Sequence, residues 1–326
     1  MPLSFSCRGP TPVAPLPLFL LLAATTAVAA PFPTRDQNPL LAGFGLPRPM
    51  PSRSDGWQWS ADFNWANSAI VQNTPREQLI VDAETREVRV TLNGKVSDSW
   101  LVSASIPWRS TSAGSLDEFI DSWHDFFSLP EGDRTQLSTD TLRVTYRDGG
   151  GRRIDRRNSM SGIGDADVAL GRQLIATTQS SLTAWADVKL PTGRFADLTG
   201  SGAVDLSLIV AGEHRFAERW SVFGQAGVTH LGDGDLLPTL QREWAGSAMA
   251  GVTRRFWRSL DLTIEVDAHS AAFDSNLDYL GEAVILNLGG AWHFDNGFEL
   301  SLGISEDIAV EASPDIVFIV GVRKTL

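Results

Sequence analysis

The chain has 326 residues, a formal net charge of −12 at pH 7, a mean hydropathy of −0.06 and one cysteine. That acid excess argues against nucleic acid or anionic lipid as a partner. Beyond the first thirty residues no run approaches the roughly 18 apolar residues that a spanning helix needs, which excludes a helical inner-membrane protein.

In chain order, Arg8 precedes an apolar run over 16–22, and Ala27-Val28-Ala29 is a small-residue cleavage pattern. Residues 1–29 therefore read as a secretory signal, with the mature chain starting at Ala30. Cys7 leaves with that segment, so no thiol or disulfide chemistry is expected afterwards. Residues 30–55 are proline-rich and lack a strand pattern. They read as a plug threaded into a barrel or as a periplasmic tail; Leu40, Leu41, Phe44 and Leu46 are more apolar than a free tail needs and favour the plug.

From residue 56 the chain alternates with period two. In 181–190, Leu182, Ala184, Ala186, Val188 and Leu190 form one face, and Ser181, Thr183, Trp185, Asp187 and Lys189 the other. The same division recurs over 204–210, 261–270 and 298–305. Alternation alone also fits a soluble sandwich. Segment length is the discriminator, since membrane-crossing strands need about 9 to 11 residues and soluble strands centre near 5 or 6. Strands are expected over 56–66, 77–96, 100–108, 162–175, 180–190, 202–216, 220–230, 243–256, 260–270, 282–294, 298–306 and 314–324. Their connections alternate between short (97–99, 177–179, 217–219, 257–258, 295–297) and long (67–76, 110–161, 192–201, 231–242, 271–280, 307–313). This is the asymmetry of an outer-membrane barrel, with short turns periplasmic and long loops extracellular.

The expected fold is thus all-β: an antiparallel, up-and-down transmembrane barrel of about twelve strands over 56–326, with a large extracellular loop at 110–161. Trp57, Trp59, Trp100, Trp108, Trp220, Phe256, Trp257, Trp292, Phe294 and Phe298 fall near strand ends, as interfacial girdles do. Within the large loop, Thr141 to Asn158 reads as a glycine-turned hairpin outside the barrel count. Its other feature is one amphipathic helix over 115–127, opened by a Ser115/Glu118 capping box and ended by Pro130. Leu116, Phe119, Ile120, Trp123, Phe126 and Phe127 line one side, with His124 among acids on the other. Such a helix either folds across the mouth as a gate or packs on the outer rim.

The stretches NPLLAGFGLPRP (38–49), SIPWRSTSAGSLDEFIDSWHDFFSLPEGDR (105–134), GIGDADVAL (162–170) and ADVKLPTG (186–193) resemble a bacterial family catalogued as domain of unknown function 3187. The loop and helix stretch is the most specific of them. The resemblance implies an outer-membrane barrel and brings no activity or catalytic residue with it.

With apolar faces turned to lipid, the lumen collects Asp62, Asn64, Arg89, Asp165, Asp167, Asp187, Lys189, Asp205, Asp261, Glu265, Asp267 and Glu299, together with Lys95, Glu213 and Arg215. Acids outnumber bases there, which biases a pore towards polar or cationic solutes unless the charges pair across the lumen. The expected function is a passive channel or small-solute transporter in the outer membrane, a monomer embedded in lipid and gated by the 115–127 helix. No cofactor or metal is expected, because His124 with Asp121 or Asp125 does not complete a site. The competing classes are an outer-membrane hydrolase and a non-transporting structural barrel. For the hydrolase, His269 and Ser270 are adjacent, so alternation sends them to opposite faces.

Overall fold

The computed structural model describes residues 31–117, 122, 136–138, 140–308 and 311–326. Among them are β1 (Gln58–Asn73), β2 (Glu77–Ser97), β3 (Trp100–Ser112), β4 (Arg143–Asp148), β5 (Arg153–Arg156), β6 (Met160–Ile163), β7 (Ala166–Ala176) and β8 (Ser180–Leu190). They continue with β9 (Asp205–Ala217), β10 (Trp220–His230), β11 (Trp244–Arg255), β12 (Leu260–His269), β13 (Ala283–His293), β14 (Phe298–Asp307) and β15 (Ile316–Thr325). Leaving aside β4, β5 and β6, twelve strands pair antiparallel with their chain neighbours, and β1 pairs with β15 from Gln58↔Thr325 to Asn67↔Ile316, closing the barrel.

The two faces of the wall decide its solvent. Val88, Val90 and Leu92 on β2, Leu206, Leu208 and Val210 on β9, and Leu262, Ile264 and Val266 on β12 are all exposed. An apolar surface continued around a whole molecule is incompatible with water and fits a hydrocarbon belt. The alternate positions, including Glu87 and Arg89 on β2, Asp205 and Ser207 on β9, and Asp261 and Glu265 on β12, are buried.

Beyond the belt, on the side of the long connections, the wall changes character. Ala66, Asn67, Ser68, Ala69 and Ile70 of β1 are buried on both faces, as are Val81 to Thr85 of β2. The upper half of β2 carries β4, which pairs over Glu77↔Asp148 to Asp82↔Arg143, and β5 pairs in turn with β4. This hairpin extends the wall upward and adds no crossing strand. The expected strand over 162–175 is two: β6 pairs with β3 over Trp108 to Thr111, and β7 pairs with β3 over Trp100 to Ser105. The break falls at Gly164 and Asp165, where the Asp165 carboxylate turns to accept from Gly193 N at 2.8 Å and Ser201 N at 3.0 Å.

Most of the expected 115–127 helix, including Phe119, Ile120, Trp123, His124, Phe126 and Phe127, lies outside the described residues. Its first residues are described, and they differ from a capping box. Ser115 N, Leu116 N and Ser115 Oγ all donate to the buried Glu84 carboxylate, the last at 3.1 Å. Asp117 accepts from Asn67 Nδ2 at 3.2 Å and from Asp140 N at 3.0 Å. Glu84 and Asn67 alternate with the inward residues of their strands and bear Trp65 Nε1 alongside, at 2.8 Å from Glu84, so this anchorage is on the outer side of the wall.

Candidate functional site

An irregular segment enclosed by a barrel has no ladder partners, so its backbone polar groups must be met by wall side chains. Residues 31–55 meet that demand along their length. Ascending, Phe32 N donates to Glu265 at 3.1 Å, Pro33 O accepts from Asn64 at 3.3 Å, Asp36 contacts His269 Nε2 at 2.9 Å, and Asn38 Nδ2 donates to Tyr279 O at 2.7 Å. The segment then turns, with Leu41 N and Ala42 N donating to Asn38 O. Descending, Gly45 N donates to Asp205 at 2.7 Å, Met50 N to Gln225 Oε1 at 2.7 Å, and Pro51 O and Ser52 O accept from Trp185 Nε1 at 3.1 Å and Thr183 at 2.8 Å. Arg53 reaches Thr177 O in a short turn, and β1 begins five residues later.

The turn of this segment is held from within and from above. Arg35 donates to Ala42 O at 2.8 Å, Phe44 O at 2.7 Å and Leu46 O at 2.5 Å. Leu40, Leu41, Phe44 and Leu46 join a buried cluster with Leu198, Leu231, Leu236, Leu237, Phe273, Leu277, Tyr279 and Leu280 from the long connections, and with Val144, Tyr146 and Ile154 of the hairpin. Phe44 packs edge-on to Phe273, with ring centroids 5.3 Å apart. Gly43 is required for this fit, since a Cβ there would lie 2.6 Å from Ser201 N. Burial pushes the Tyr279 phenol well above its ordinary pKa, against the opposing hydrogen bond to Ser68 Oγ at 2.8 Å.

Besides the Asp36–His269 pair, two ionic groups tie the segment to the wall. Lys189 Nζ, 2 % exposed, lies 3.1 Å from Asp165, 3.0 Å from Asp205 and 2.8 Å from Gly43 O. Glu87 is engaged by Arg48 of the segment, by Arg109 Nε at 2.6 Å and by Arg89 Nε at 3.3 Å; Arg89 also reaches Asp167 at 2.6 Å. Buried charges need such partners, and removing one side of the group strands the other.

Of the residues expected in the lumen, Asn64, Arg89, Asp165, Asp167, Lys189, Asp205 and Glu265 belong to this set of contacts around or beside the segment. Asp261 and Glu299 form a separate group near the short turns, where His293 bridges them at 2.8 and 3.3 Å and Arg255 and Arg323 complete it at 2.8 and 3.3 Å. Asp62 accepts from Ser60 at 2.8 Å, and neither it nor Asp187 has an ion-pair partner among the described residues. Asp267 lies on the same strand face as Glu265 and His269.

Sequence reasoning passed over Glu87, Arg109, Arg35 and Arg48. Glu87 shares Arg89's strand face and was open to discovery by that alternation, whereas Arg109 lies just beyond the expected end of its strand. Between the segment and the short turns is a cavity of about 800 Å³, lined among others by Arg48, Asp62, Arg89, Asp167, Asp187 and Glu299.

The hydrolase constellation fails on geometry at its expected place. His269 is committed to Asp36 and Ser270 O, while Ser270 Oγ accepts from Gly246 N at 2.9 Å. Ser180 Oγ does lie 2.8 Å from His214 Nδ1, at an exposed short-turn site, but that ring has no carboxylate partner among the described residues to orient it. No metal-suited group of three or more His, Cys, Asp or Glu occurs among the described residues.

In fold, the chain is similar to the COG4313 outer membrane channel from Pseudomonas putida F1, with a TM-score of 0.56 and 13 % identity over 84 % of this chain and 97 % of that one. The NanC porin gives 0.48 and 9 % over 82 % and 100 %, and the KdgM porin 0.44 and 8 % over 82 % and 99 %. No curated protein matches the chain by sequence. The sequence model of a family described as protein of unknown function, DUF3187, matches residues 19–326, and the chain belongs to that family.

Proposed function

We propose that this protein is an outer-membrane channel for small polar or cationic solutes, reaching that membrane after removal of residues 1–29, with residues 31–55 serving as the gate. The observation that carries this reading is the manner of attachment. The segment occupying the barrel is held by side-chain hydrogen bonds, ion pairs and apolar clusters, with no strand pairing among the described residues, so it can be released without dismantling the wall. The fold shared with the COG4313 outer membrane channel agrees with transport. The preference for cations rests on Asp62 and Asp187, wall residues that line the cavity without an ion-pair partner among the described residues. Of the arginines there, Arg48 and Arg89 are engaged by Glu87 and Asp167, and Arg255 and Arg323 by Asp261 and Glu299. Arg35 and Arg53, which meet backbone carbonyls, belong to the segment itself, leaving Arg258 at a short turn.

The 115–127 segment is the weaker gate, because its described beginning is anchored on the outer side of the wall at Glu84 and Asn67. The test is planar-bilayer recording. The intact protein should conduct little, and deletion of residues 31–50 should raise conductance at least tenfold with cations passing preferentially. A deletion protein that keeps the heat-dependent gel shift of a folded barrel yet stays silent would sink the channel reading in favour of a structural barrel.

A further inference from the structure

The outward face of the β4–β5 hairpin plays no part in the contacts of the 31–55 segment, and the hairpin's charge is opposite to that of the molecule. Residues 143–157 contain six arginines against two aspartates, a local charge of +4 in a chain whose total is −12. Val144, Tyr146 and Ile154 are buried in the apolar cluster. Alternation therefore turns Arg143 and Arg147 of β4, and Arg153 and Asp155 of β5, to the outer side of the wall.

The arrangement of these arginines is unfavourable for the protein alone. Arg147 and Arg153 are direct cross-strand partners, both exposed, and like charges directly opposite each other destabilise a strand pair. Asp155 is taken by Arg153 at 2.7 Å and Arg157 at 2.8 Å. Arg147 has no ion-pair partner among the described residues, whereas Arg143 is only half-exposed and its Nε is buried, so the accessible charge is that of Arg147 and Arg153. Such a stripe calls for an external polyanion, and guanidinium groups bind phosphate in bidentate fashion.

Height above the membrane selects the polyanion. The exposed apolar residues of β2 end at Val88, and β4 pairs with β2 at Gln78↔Arg147 and Asp82↔Arg143. The stripe is thus six to ten residues further along, about 15–25 Å beyond the hydrocarbon edge at about 3.3 Å per residue and a tilt near 40°. An ordinary headgroup layer reaches only about 5–8 Å past the hydrocarbon. A phosphorylated sugar core of the outer-leaflet glycolipid extends to the height of the stripe.

We propose that Arg147 and Arg153, flanked by Arg143, form a docking stripe for the phosphorylated core of lipopolysaccharide. This rests on the outer-membrane location proposed above, but not on transport. The test uses the full protein in detergent with three probes: rough-type lipopolysaccharide, the same glycolipid stripped of core phosphate, and inorganic polyphosphate. The phosphorylated glycolipid should bind at least tenfold more tightly than the stripped one, and Arg147→Glu with Arg153→Glu should abolish that ratio. If the double charge reversal loses the heat-dependent gel shift, Arg147→Gln with Arg153→Gln should reduce the ratio in a folded barrel. Equal binding of the two glycolipids, or an unchanged ratio in a folded variant, would overturn the proposal. Binding of polyphosphate without glycolipid would also overturn it, assigning the stripe to a soluble polyanion. Membrane fractionation of the same cells separates these failures from a failure of the location itself.

Discussion

At the end of the long connections the 31–55 segment buries Leu40, Leu41 and Phe44 against loop residues such as Phe273, Leu277 and Tyr279, whereas towards the short turns the same segment is met by Gln225, Trp185 and Thr183 beside an open cavity. Burying one large apolar side chain is worth about 1.5–3 kcal/mol, against about 0.5–1.5 kcal/mol for a hydrogen bond exchanged with water. The upper end is thus the strong attachment, and the lower end borders the cavity. The gate proposed above therefore yields last at the end of the long connections.

The largest expected effect comes from the waist between the two ends. Glu87→Gln removes the carboxylate that Arg48, Arg89 and Arg109 share, and should cost about 3–5 kcal/mol in denaturant unfolding of the detergent-solubilised protein. A loss below 1 kcal/mol would mean that the guanidinium groups find other partners.

Next, Leu41→Ala should cost about 2–5 kcal/mol by opening the apolar cap, and should also raise single-channel open probability. Gln225→Ala, at the lower end, should cost only about 1 kcal/mol, since it releases Met50 N and Arg48 O into a region that water reaches. It should leave conductance nearly unchanged. Equal conductance effects from these two variants would erase the distinction between the ends.

The smallest effect is at Tyr279. Tyr279→Phe loses the hydrogen bond to Ser68, about 1 kcal/mol near neutral pH. Because the folded-state phenol titrates above its unfolded value, its contribution is fully present below the unfolded pKa of about 10 and fades as pH rises through the folded value. Unfolding curves at rising alkaline pH should therefore fall more steeply for the native chain than for Tyr279→Phe.

Much of the wall was legible because its chemistry is periodic. β8 (Ser180–Leu190) and β10 (Trp220–His230) begin and end where alternation and turn residues predict. Legibility fails where alternation loses its cause. β1 runs on to Asn73, well past Ala66, because above the belt both of its faces are covered and no solvent difference remains to write a pattern. The site was only half readable for a related reason. Strand faces gave Lys189, Asp165 and Asp205 individually, but their convergence on Gly43 depends on a segment with no period, whose path composition cannot supply.

Phe32, the first aromatic of that segment, clusters with Ala66 of β1 and with Val317 and Ile319 of β15, on the seam where the first and last strands join. The chain cannot complete this contact until its final strand exists, so docking of the segment's beginning and closure of the wall share one late, long-range step. Assembly time courses should therefore show the interior becoming protected from protease only as the last strand pairs, with no long-lived closed but empty barrel preceding it.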